Sequence, residues 1–350
     1  MASNYRFTEE ECHMVHSDTL LRRMLSMAAV LPRTRLDDLQ SPIKTQIGKG
    51  QCGTVYTMSS PELVNKTPNS TSKIAELRCE HRSHVNIMEA FHSAPGALSS
   101  KALVPQVYTF RDLSYDDEGQ IDERIDLLPD QGYGIIFERV FPLHDPIPMA
   151  LLESFVPAFS ESQQETCLSN STNNNCLVRI YLGRRGVSRS KVCAEDMSLR
   201  NFPLHVDEME RLCLPITAYI TTMAQSLALM HWKAGTDGND VEFVLGDSFR
   251  MGTHRDGQTV SVWLLDFNQC RDFSHDQAGL KQLVDGFWWN DPYYPRPSSS
   301  NSQDKAWWNT FLSKYLDASA LLTDSKMPRQ FIQAVEEEGE RRRVRPSLFG

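Results

Sequence analysis

The sequence lacks the features that mark several large classes of protein. No window reaches 18 consecutive uncharged apolar residues, so no membrane-spanning helix is expected. The N-terminus, MASNYRFTEEECHMVH, carries acidic residues where a secretory signal needs an apolar core. We therefore expect a cytoplasmic or nuclear protein that makes no contact with a membrane.

Metal-binding and disulfide frameworks are also absent from the cysteine pattern. No two of the eight cysteines have the C-x2-C spacing from which zinc knuckles are usually built. A chain of 350 residues does not depend on disulfides for a core, so reduced thiols are expected.

An excess of basic residues is missing as well. Lys and Arg number 36 against 45 Asp and Glu, which gives a formal net charge of −9. Sequence-independent nucleic-acid binding needs a basic surface, so a nucleic acid is not an expected partner. Phosphate ligands remain compatible with this charge, because metal ions and backbone amides can offset phosphate charge.

The length and the order of the patterns predict an α+β fold in two lobes. A strand-rich first part precedes a helix-rich second part, and 40% of the residues are apolar, enough for a sizeable core. Strands are predicted within 41–58, 103–110 and 133–140, and helices over 17–31, 73–92, 205–232 and from 303 onward.

Three further patterns refine the second part. Residues 158–175 are polar and poor in large apolar side chains, which predicts a mobile insertion or linker. Pro215 is compatible with the long helix over 205–232 only in its first turn. VEFVLG and VSVWLLDF, joined by a connector that contains Asp256-Gly257, predict a β-hairpin.

IGKGQCGTVY contains a G-x-G-x-x-G motif, formed by Gly48, Gly50 and Gly53 and followed by Val55. A dinucleotide-binding turn would need a helix after the third glycine. The residues Thr-Val-Tyr-Thr favour a strand instead, so a strand–turn–strand loop over phosphates is predicted. Glycines there allow positive φ and close backbone approach, and an ordinary glycine-rich hairpin is the alternative.

These segments together resemble the protein-kinase-like superfamily, from about residue 44 to about residue 297. The resemblance is carried by the glycine loop and by LVPQVY, GIIFERV, RIYLGRR, HWKAGTDGNDVEFVLG, LLDFNQC and NDPYYPRP, in that order. The chain looks closest to an uncharacterised fungal family whose members are often labelled zinc-finger-like. The resemblance implies a bilobal fold with an N-terminal helical extension at 1–43, an N-lobe at 44–140 and a C-lobe at 141–350.

The resemblance also implies a lysine that grips nucleotide phosphates on the strand after the glycine loop. Lys66 takes that position, with Lys73 as its competitor. The lysine would pair with a helical glutamate, and Glu80 is favoured over Glu76 and Glu89, although the spacing does not choose among them.

By the same resemblance, Asp237 matches the catalytic base and Glu242, five residues later, takes the place of a metal-binding Asn. Asp240 is a rival for the base, and a run of Asp, Gly and Asn is also typical of a plain turn. Asp266 in LLDFNQC matches the metal-binding Asp of Asp-Phe-Gly, and Asn268 stands in place of the Gly.

The resemblance thus implies ATP and Mg²⁺ as cofactors. Lys66 and Asp237 would be catalytic, Asp266 and Glu242 would hold metal, and Gly48, Gly50, Gly53, Val55, Lys66 and Glu80 would bind the nucleotide.

Departures from the superfamily pattern argue against an ordinary protein kinase. The Ala-Pro-Glu segment is missing, and the His-Arg-Asp tripeptide is absent. The sequence is therefore compatible with a phosphotransferase that acts on a small molecule or an atypical acceptor. The alternative is a pseudokinase-like scaffold or an accessory protein of fungal secondary metabolism that transfers no phosphoryl group.

Overall fold

The computed structural model describes residues 14–26, 30–31, 45–112, 133–143, 146–186, 189, 192–248 and 258–344. These residues form a mixed α+β fold, as the sequence predicts. The strands are β1 (Val30–Leu31), β2 (Gln46–Lys49), β3 (Gly53–Thr57), β4 (Leu63–Pro68), β5 (Val107–Asp112), β6 (Tyr133–Glu138), β7 (Val178–Tyr181), β8 (Phe202–His205), β9 (Glu242–Asp247) and β10 (Gln258–Leu265). The α-helices are α1 (Ser17–Met24), α2 (Ile74–His92), α3 (Ile147–Phe155), α4 (Glu161–Ser169), α5 (Val206–Arg211), α6 (Ile216–Leu229), α7 (Gln277–Trp289), α8 (Ser302–Ser319) and α9 (Met327–Val344). Within this part of the chain, no helix combines the length and the apolar character needed to cross a membrane.

The first sheet is antiparallel throughout and has the order β2-β3-β4-β6-β5. The two strands predicted around the glycine cluster are its β2 and β3. Val55 on β3 pairs directly with Lys66 on β4, so these two side chains lie on the same face of the sheet.

Helix α2 packs against this sheet through one stripe of side chains. Its buried residues follow helical spacing, because steps of three and four residues return to the same face of a helix. The stripe therefore carries two ionisable side chains into the interior among apolar neighbours; its members include Leu77, Glu80, His84, Ile87 and Phe91.

The second sheet has the order β1-β10-β9-β7-β8. The predicted hairpin is confirmed as β9 and β10, which pair antiparallel, while its predicted Asp256-Gly257 connector lies outside the described residues. Leu265 pairs with Glu242 at one end of the hairpin. Asp266 follows Leu265 immediately, so Glu242 and Asp266 emerge at the same edge of the sheet.

The helix predicted over 205–232 is wrong in its extent. The strand β8 ends at His205, α5 follows, and a break with Cys213 at φ 53° precedes α6. Pro215 caps the start of α6, where its missing N–H costs no helical hydrogen bond. A π-helical turn at Met230–Ala234 extends α6 and ends at Gly235, which has φ 71°.

The N-terminal segment packs on the second half of the chain. Helix α1 buries Leu20, Leu21 and Met24 and contacts α3, and β1 adds to the edge of β10. The Tyr219 hydroxyl donates a hydrogen bond to the carbonyl of Leu25. The predicted helix over 17–31 is therefore shorter than expected.

The polar stretch at 158–175, predicted as a mobile insertion or linker, contains the helix α4. Ser160 and Gln163 form a capping box that starts α4. Asn173 is buried, donates hydrogen bonds to the carbonyls of Cys167 and Met197, and accepts one from the amide of Leu199. Local caps and a buried amide thus order a segment that has few apolar side chains.

Candidate functional site

A cavity of about 270 Å³ lies between the glycine-bearing strands and the edge of the second sheet from which Glu242 and Asp266 emerge. Its walls combine apolar side chains with charged groups of both signs, as ligand pockets commonly do. The lining includes eight of the nine residues predicted as site residues: Gly48, Gly50, Gly53, Val55, Lys66, Glu80, Glu242 and Asp266.

The glycine turn between β2 and β3 is closed by its own backbone. The Gly50 amide donates a hydrogen bond to the Gly53 carbonyl at 2.9 Å. A Cβ on Gly53 would lie 2.6 Å from the Thr67 carbonyl oxygen and 3.2 Å from Cγ of Lys66, so no larger residue fits there. The expectation of positive φ in this turn is wrong, because Gly235 and Gly238 are the only described glycines with positive φ. Close approach is what requires glycine at position 53.

Lys66 is held between two carboxylates at the floor of the cavity. Its Nζ lies 2.5 Å from Oε1 of Glu80 and 3.6 Å from Oδ1 of Asp266. Of the three glutamates that the sequence leaves open, Glu80 is the one that reaches Lys66. The side chains of Lys66 and Glu80 are only 9% and 5% exposed, so this ion pair is nearly shielded from water.

The surroundings of Lys66 keep it charged. Burial alone would lower its pKa, but the negative charges of Glu80 and Asp266 outweigh burial and raise the pKa. Lys73, the competitor, lies instead at the start of α2, where its Nζ contacts Glu76 Oε1 at 2.7 Å near the surface. Of these two lysines, Lys66 is therefore the one that lies buried in the cavity.

Asp266 occupies a strained backbone position directly after β10. Its φ is 60°, which for a non-glycine residue costs about 1 kcal/mol or more and often marks a functional site. The next residue, Phe267, is 2% exposed and packs on the ring of His84 from α2, with centroids 4.6 Å apart. This contact links the position of Asp266 to the helix that carries Glu80.

His84 is neutral and acts as a wall of the cavity. Burial lowers its pKa to about 3, and its Nε2–H donates a hydrogen bond to the Pro105 carbonyl at 3.0 Å. Its ring also meets Phe137 edge-on, with centroids 5.6 Å apart. These contacts fix the ring, so His84 contributes shape and no charge.

Glu242 is paired with an arginine from the neighbouring strand. The Nη2 group of Arg179, on β7, donates to Oε1 of Glu242, and both side chains are about one quarter exposed. Burial raises the pKa of Glu242, the charges of Asp266 and Asp240 add to this, and Arg179 opposes it. Asp266 and Glu242 thus lie close enough to repel each other.

Asp266 and Glu242 offer carboxylate oxygens, the kind of ligand that Mg²⁺ prefers. Oδ1 of Asp266 is buried and has no hydrogen-bond partner, with only the ion pair to Lys66 near it. Mg²⁺ is usually held by one or two carboxylates together with phosphate oxygens of the substrate. Asp266 and Glu242 could supply such a pair, whereas the described residues contain no group of three His, Cys, Asp or Glu side chains that could hold a metal ion alone.

Asp237, the ninth predicted residue, does not line the cavity. It is 5% exposed, and Oδ1 accepts hydrogen bonds from the amides of Asn239 and Arg271 at 3.1 and 3.0 Å. Oδ2 accepts a third from Nε2 of Gln282 at 2.8 Å. These donors anchor the loop before β9, and the catalytic role of Asp237 stays a prediction.

The rival residue, Asp240, interacts electrostatically with Asp266. Its φ is 63°, and its Oδ1 accepts a hydrogen bond from Nε1 of Trp289 at 3.2 Å. Burial raises its pKa, and the charge of Asp266 raises it further. Asp240 therefore feels the electrostatic field of the Asp266 site while remaining only partly buried.

Sequence reasoning missed His84, Arg179 and Arg200, which also line the cavity. His84 follows Glu80 by four residues, so helical periodicity would have placed both on one face. Arg179 interrupts the apolar run of β7, which is a weak signal of a side chain facing a site. Arg200 stands in an irregular segment and gives no such signal.

Comparison with known proteins gives one family match. A family model described as a zinc finger protein matches residues 262–327, less than a fifth of the chain. The match agrees with the zinc-finger-like label of the family that the sequence resembles. No curated protein matches the chain. Zinc fingers need clustered Cys or His ligands, and the seven cysteines in the described part of the chain are free and form no such cluster.

Proposed function

We propose that this protein is a bilobal, kinase-like protein that binds ATP and Mg²⁺ and transfers a phosphoryl group to a small-molecule or atypical acceptor. The observation that carries the proposal is the meeting of Lys66, Glu80 and Asp266 beside a glycine turn, in one cavity. The three side chains come from a strand, a helix and a hairpin end that are far apart in the sequence.

The arrangement of the two sheets supports the bilobal part of the proposal. In this proposal the sheet β2–β6 with α2 would form the N-lobe, and the remaining described elements would form the C-lobe, with a boundary near residue 140. Arg139 and Val140 line the cavity at this boundary. A nucleotide base would fit there against backbone groups, with its phosphates toward Lys66.

The charged residues have separate parts in this proposal. The ammonium of Lys66 would donate hydrogen bonds to phosphate oxygens, and Glu80 would hold that ammonium in place. Asp266 and Glu242 would hold Mg²⁺, which when bound neutralises charge on the phosphates. Phosphoryl transfer depends mainly on such positioning and charge neutralisation, so few other groups are needed.

The carboxylates of the loop before β9 would serve the acceptor. The sequence predicts Asp237 as the base, whereas the contacts of the two residues favour Asp240 for that role. Oxygens of Asp237 that already accept three hydrogen bonds have little capacity left for an acceptor hydroxyl. Asp240 accepts one hydrogen bond and is partly exposed, so it is better placed to orient an acceptor.

A pseudokinase-like scaffold is the second candidate, and the Arg179–Glu242 pair favours it. A guanidinium bound to Glu242 competes with a metal ion for the same oxygens. If the pair persists with nucleotide bound, Asp266 alone would hold Mg²⁺ from the protein side. Such a protein would bind nucleotide with little dependence on Mg²⁺ and would not turn it over.

Thermal unfolding with ATP, with and without Mg²⁺, separates these candidates. The phosphotransferase predicts stabilisation by ATP that grows when Mg²⁺ is added, together with slow loss of the γ-phosphoryl group. The scaffold predicts stabilisation that Mg²⁺ leaves unchanged and no loss of the γ-phosphoryl group. No stabilisation at millimolar ATP under either condition would contradict both.

A further inference from the structure

One end of the cavity carries three polar side chains that the proposed chemistry does not use. Asn175, Arg200 and Asn201 all line it. Within the part of the chain that the structure describes, none of these three side chains makes a hydrogen bond or an ion pair. This group is called the Arg200 cluster below.

The guanidinium of Arg200 faces the glycine-bearing strand. Its Nη2 lies 3.7 Å from the position that a Cβ on Gly48 would occupy. The backbone of Arg200 forms a β-bridge with Cys176, and Asn201 turns the chain with φ 55° before β8 begins. The bridge and the turn position the backbone of Arg200 beside the cavity. Its guanidinium thus lies next to Gly48 at the cavity wall.

The balance of charge in the cavity leaves this guanidinium without a counter-charge. Five basic residues line the walls against three acidic ones, and His84 is neutral. Lys66 is bound by Glu80 and Asp266, and Arg179 is bound by Glu242, so all three acids are engaged. An incoming anion would supply the counter-charge that this guanidinium lacks among the described residues.

The chemistry of the cluster defines the ligand group that it suits. A guanidinium presents a planar fork of N–H donors that matches a phosphate or a carboxylate. An Asn amide offers two donors and an acceptor, so the two neighbouring amides can bind the remaining oxygens and an adjacent hydroxyl.

We propose that Arg200, with Asn175 and Asn201, forms a subsite for an anionic group, a phosphate or a carboxylate, separate from the phosphates that Lys66 would hold. Two sources can present that group. One is a nucleotide phosphate that Lys66 does not hold, and the other is an anionic acceptor bound beside the nucleotide. This inference rests on the proposed function, which names the nucleotide. If the anion belongs to the acceptor, the inference also names the acceptor's chemical class, a phosphate or a carboxylate.

The test is calorimetric titration with inorganic phosphate, with ATP and with adenosine, each in phosphate-free buffer. The variants are Arg200→Gln, which removes the charge, and Arg200→Lys, which keeps it. Arg329→Gln is the matched control, since Arg329 is exposed on α9 and lies outside the cavity. Circular dichroism and thermal unfolding without ligand check that each variant is folded.

The expected result is at least a tenfold loss of anion affinity in Arg200→Gln, a smaller loss in Arg200→Lys and no change in Arg329→Gln. If the anion comes from the acceptor, phosphate binds to ATP-saturated protein, and Arg200→Gln abolishes that binding while ATP affinity is kept. If it comes from the nucleotide, ATP displaces phosphate, and Arg200→Gln weakens ATP at least tenfold while adenosine affinity is unchanged.

Folded Arg200→Gln protein that binds both phosphate and ATP as the wild type does would overturn the subsite. In that case ATP binding does not depend on Arg200, and the proposed function is still supported without the subsite. Phosphate binding that depends on Arg200, in a protein that binds no ATP, would support the subsite and reject the proposed function.

Discussion

The Nζ of Lys66 lies 2.5 Å from Oε1 of Glu80, in an ion pair whose two residues are only 7% and 4% exposed. A buried pair of this kind is weak support for stability, because desolvation offsets much of the attraction. Asp266 lies 3.6 Å from the same ammonium, so Lys66 already balances two carboxylates. The two carboxylates would keep the ammonium charged and in position to bind a phosphate.

Lys66→Met is expected to destabilise the protein by about 3–5 kcal/mol, because it leaves Glu80 buried without a counter-charge. The double variant Lys66→Met/Glu80→Gln removes both charges and should recover most of that loss. Urea denaturation of the two variants measures the difference. A single variant that is as stable as the double variant would show that the pair is not buried as described.

Asp266→Asn is expected to remove the Mg²⁺-dependent part of the stabilisation by ATP while leaving the part that ATP gives alone. A ligand at 100 times its dissociation constant stabilises a protein by about 2.7 kcal/mol, so the loss is measurable by thermal unfolding. Asp324→Asn, at an exposed position outside the cavity, is the control. An undiminished effect of Mg²⁺ in Asp266→Asn would show that this carboxylate does not hold the metal ion.

Asp240→Asn is expected to lose turnover, whereas Asp237→Asn is expected to lose stability. Loss of a general base typically lowers turnover by about 100-fold or more, and we expect this for Asp240→Asn with little change in stability. Asp237→Asn should lower the unfolding temperature, because two backbone amides and Gln282 lose a charged acceptor. Turnover and thermal unfolding are measured for both variants. Loss of turnover in a fully stable Asp237→Asn protein, with Asp240→Asn active, would restore Asp237 as the base.

Asp247→Asn is expected to stabilise the protein in a pH-dependent way. Burial raises the pKa of Asp247 to about 7, and the Ser248 amide only partly opposes this. Because the folded state favours the neutral form, the contribution of Asp247 to stability is present below pH about 4 and is lost as the pH rises through 7. At pH 8 the Asn variant should therefore be more stable by on the order of 4 kcal/mol, and near pH 4 the difference should vanish. Urea denaturation across this range checks it, and a difference that does not vary with pH would contradict it.

The local parts of the fold could be predicted from the sequence because they depend on short-range patterns. The glycine turn, the β9–β10 hairpin and α2 each follow from spacing within a few residues. The helix at Glu161–Ser169 was missed, although Ser160 and Gln163 form a recognisable capping box. The polar composition of this stretch masks the helix, because the cap marks only its first turn.

Only part of the cavity could be predicted from the sequence. Lys66 and Asp266 lie on elements with clear patterns, so their positions could be predicted, whereas their partners depend on packing. Arg179 reaches Glu242 because β7 pairs with β9, and Arg200 lies next to Gly48 at the cavity wall. Neither contact can be predicted from a local sequence pattern, since the partners are more than 60 residues apart.

The measurement that tests the central claim most directly is calorimetric titration of Mg²⁺–ATP into the wild-type protein and two matched lysine variants. We predict one site per chain for the wild type and for Lys73→Met, whose lysine pairs with Glu76 near the surface. Lys66→Met/Glu80→Gln, which removes both charges of the buried pair, should bind at least tenfold more weakly. Equal binding by the two variants, or none by the wild type, would contradict the account.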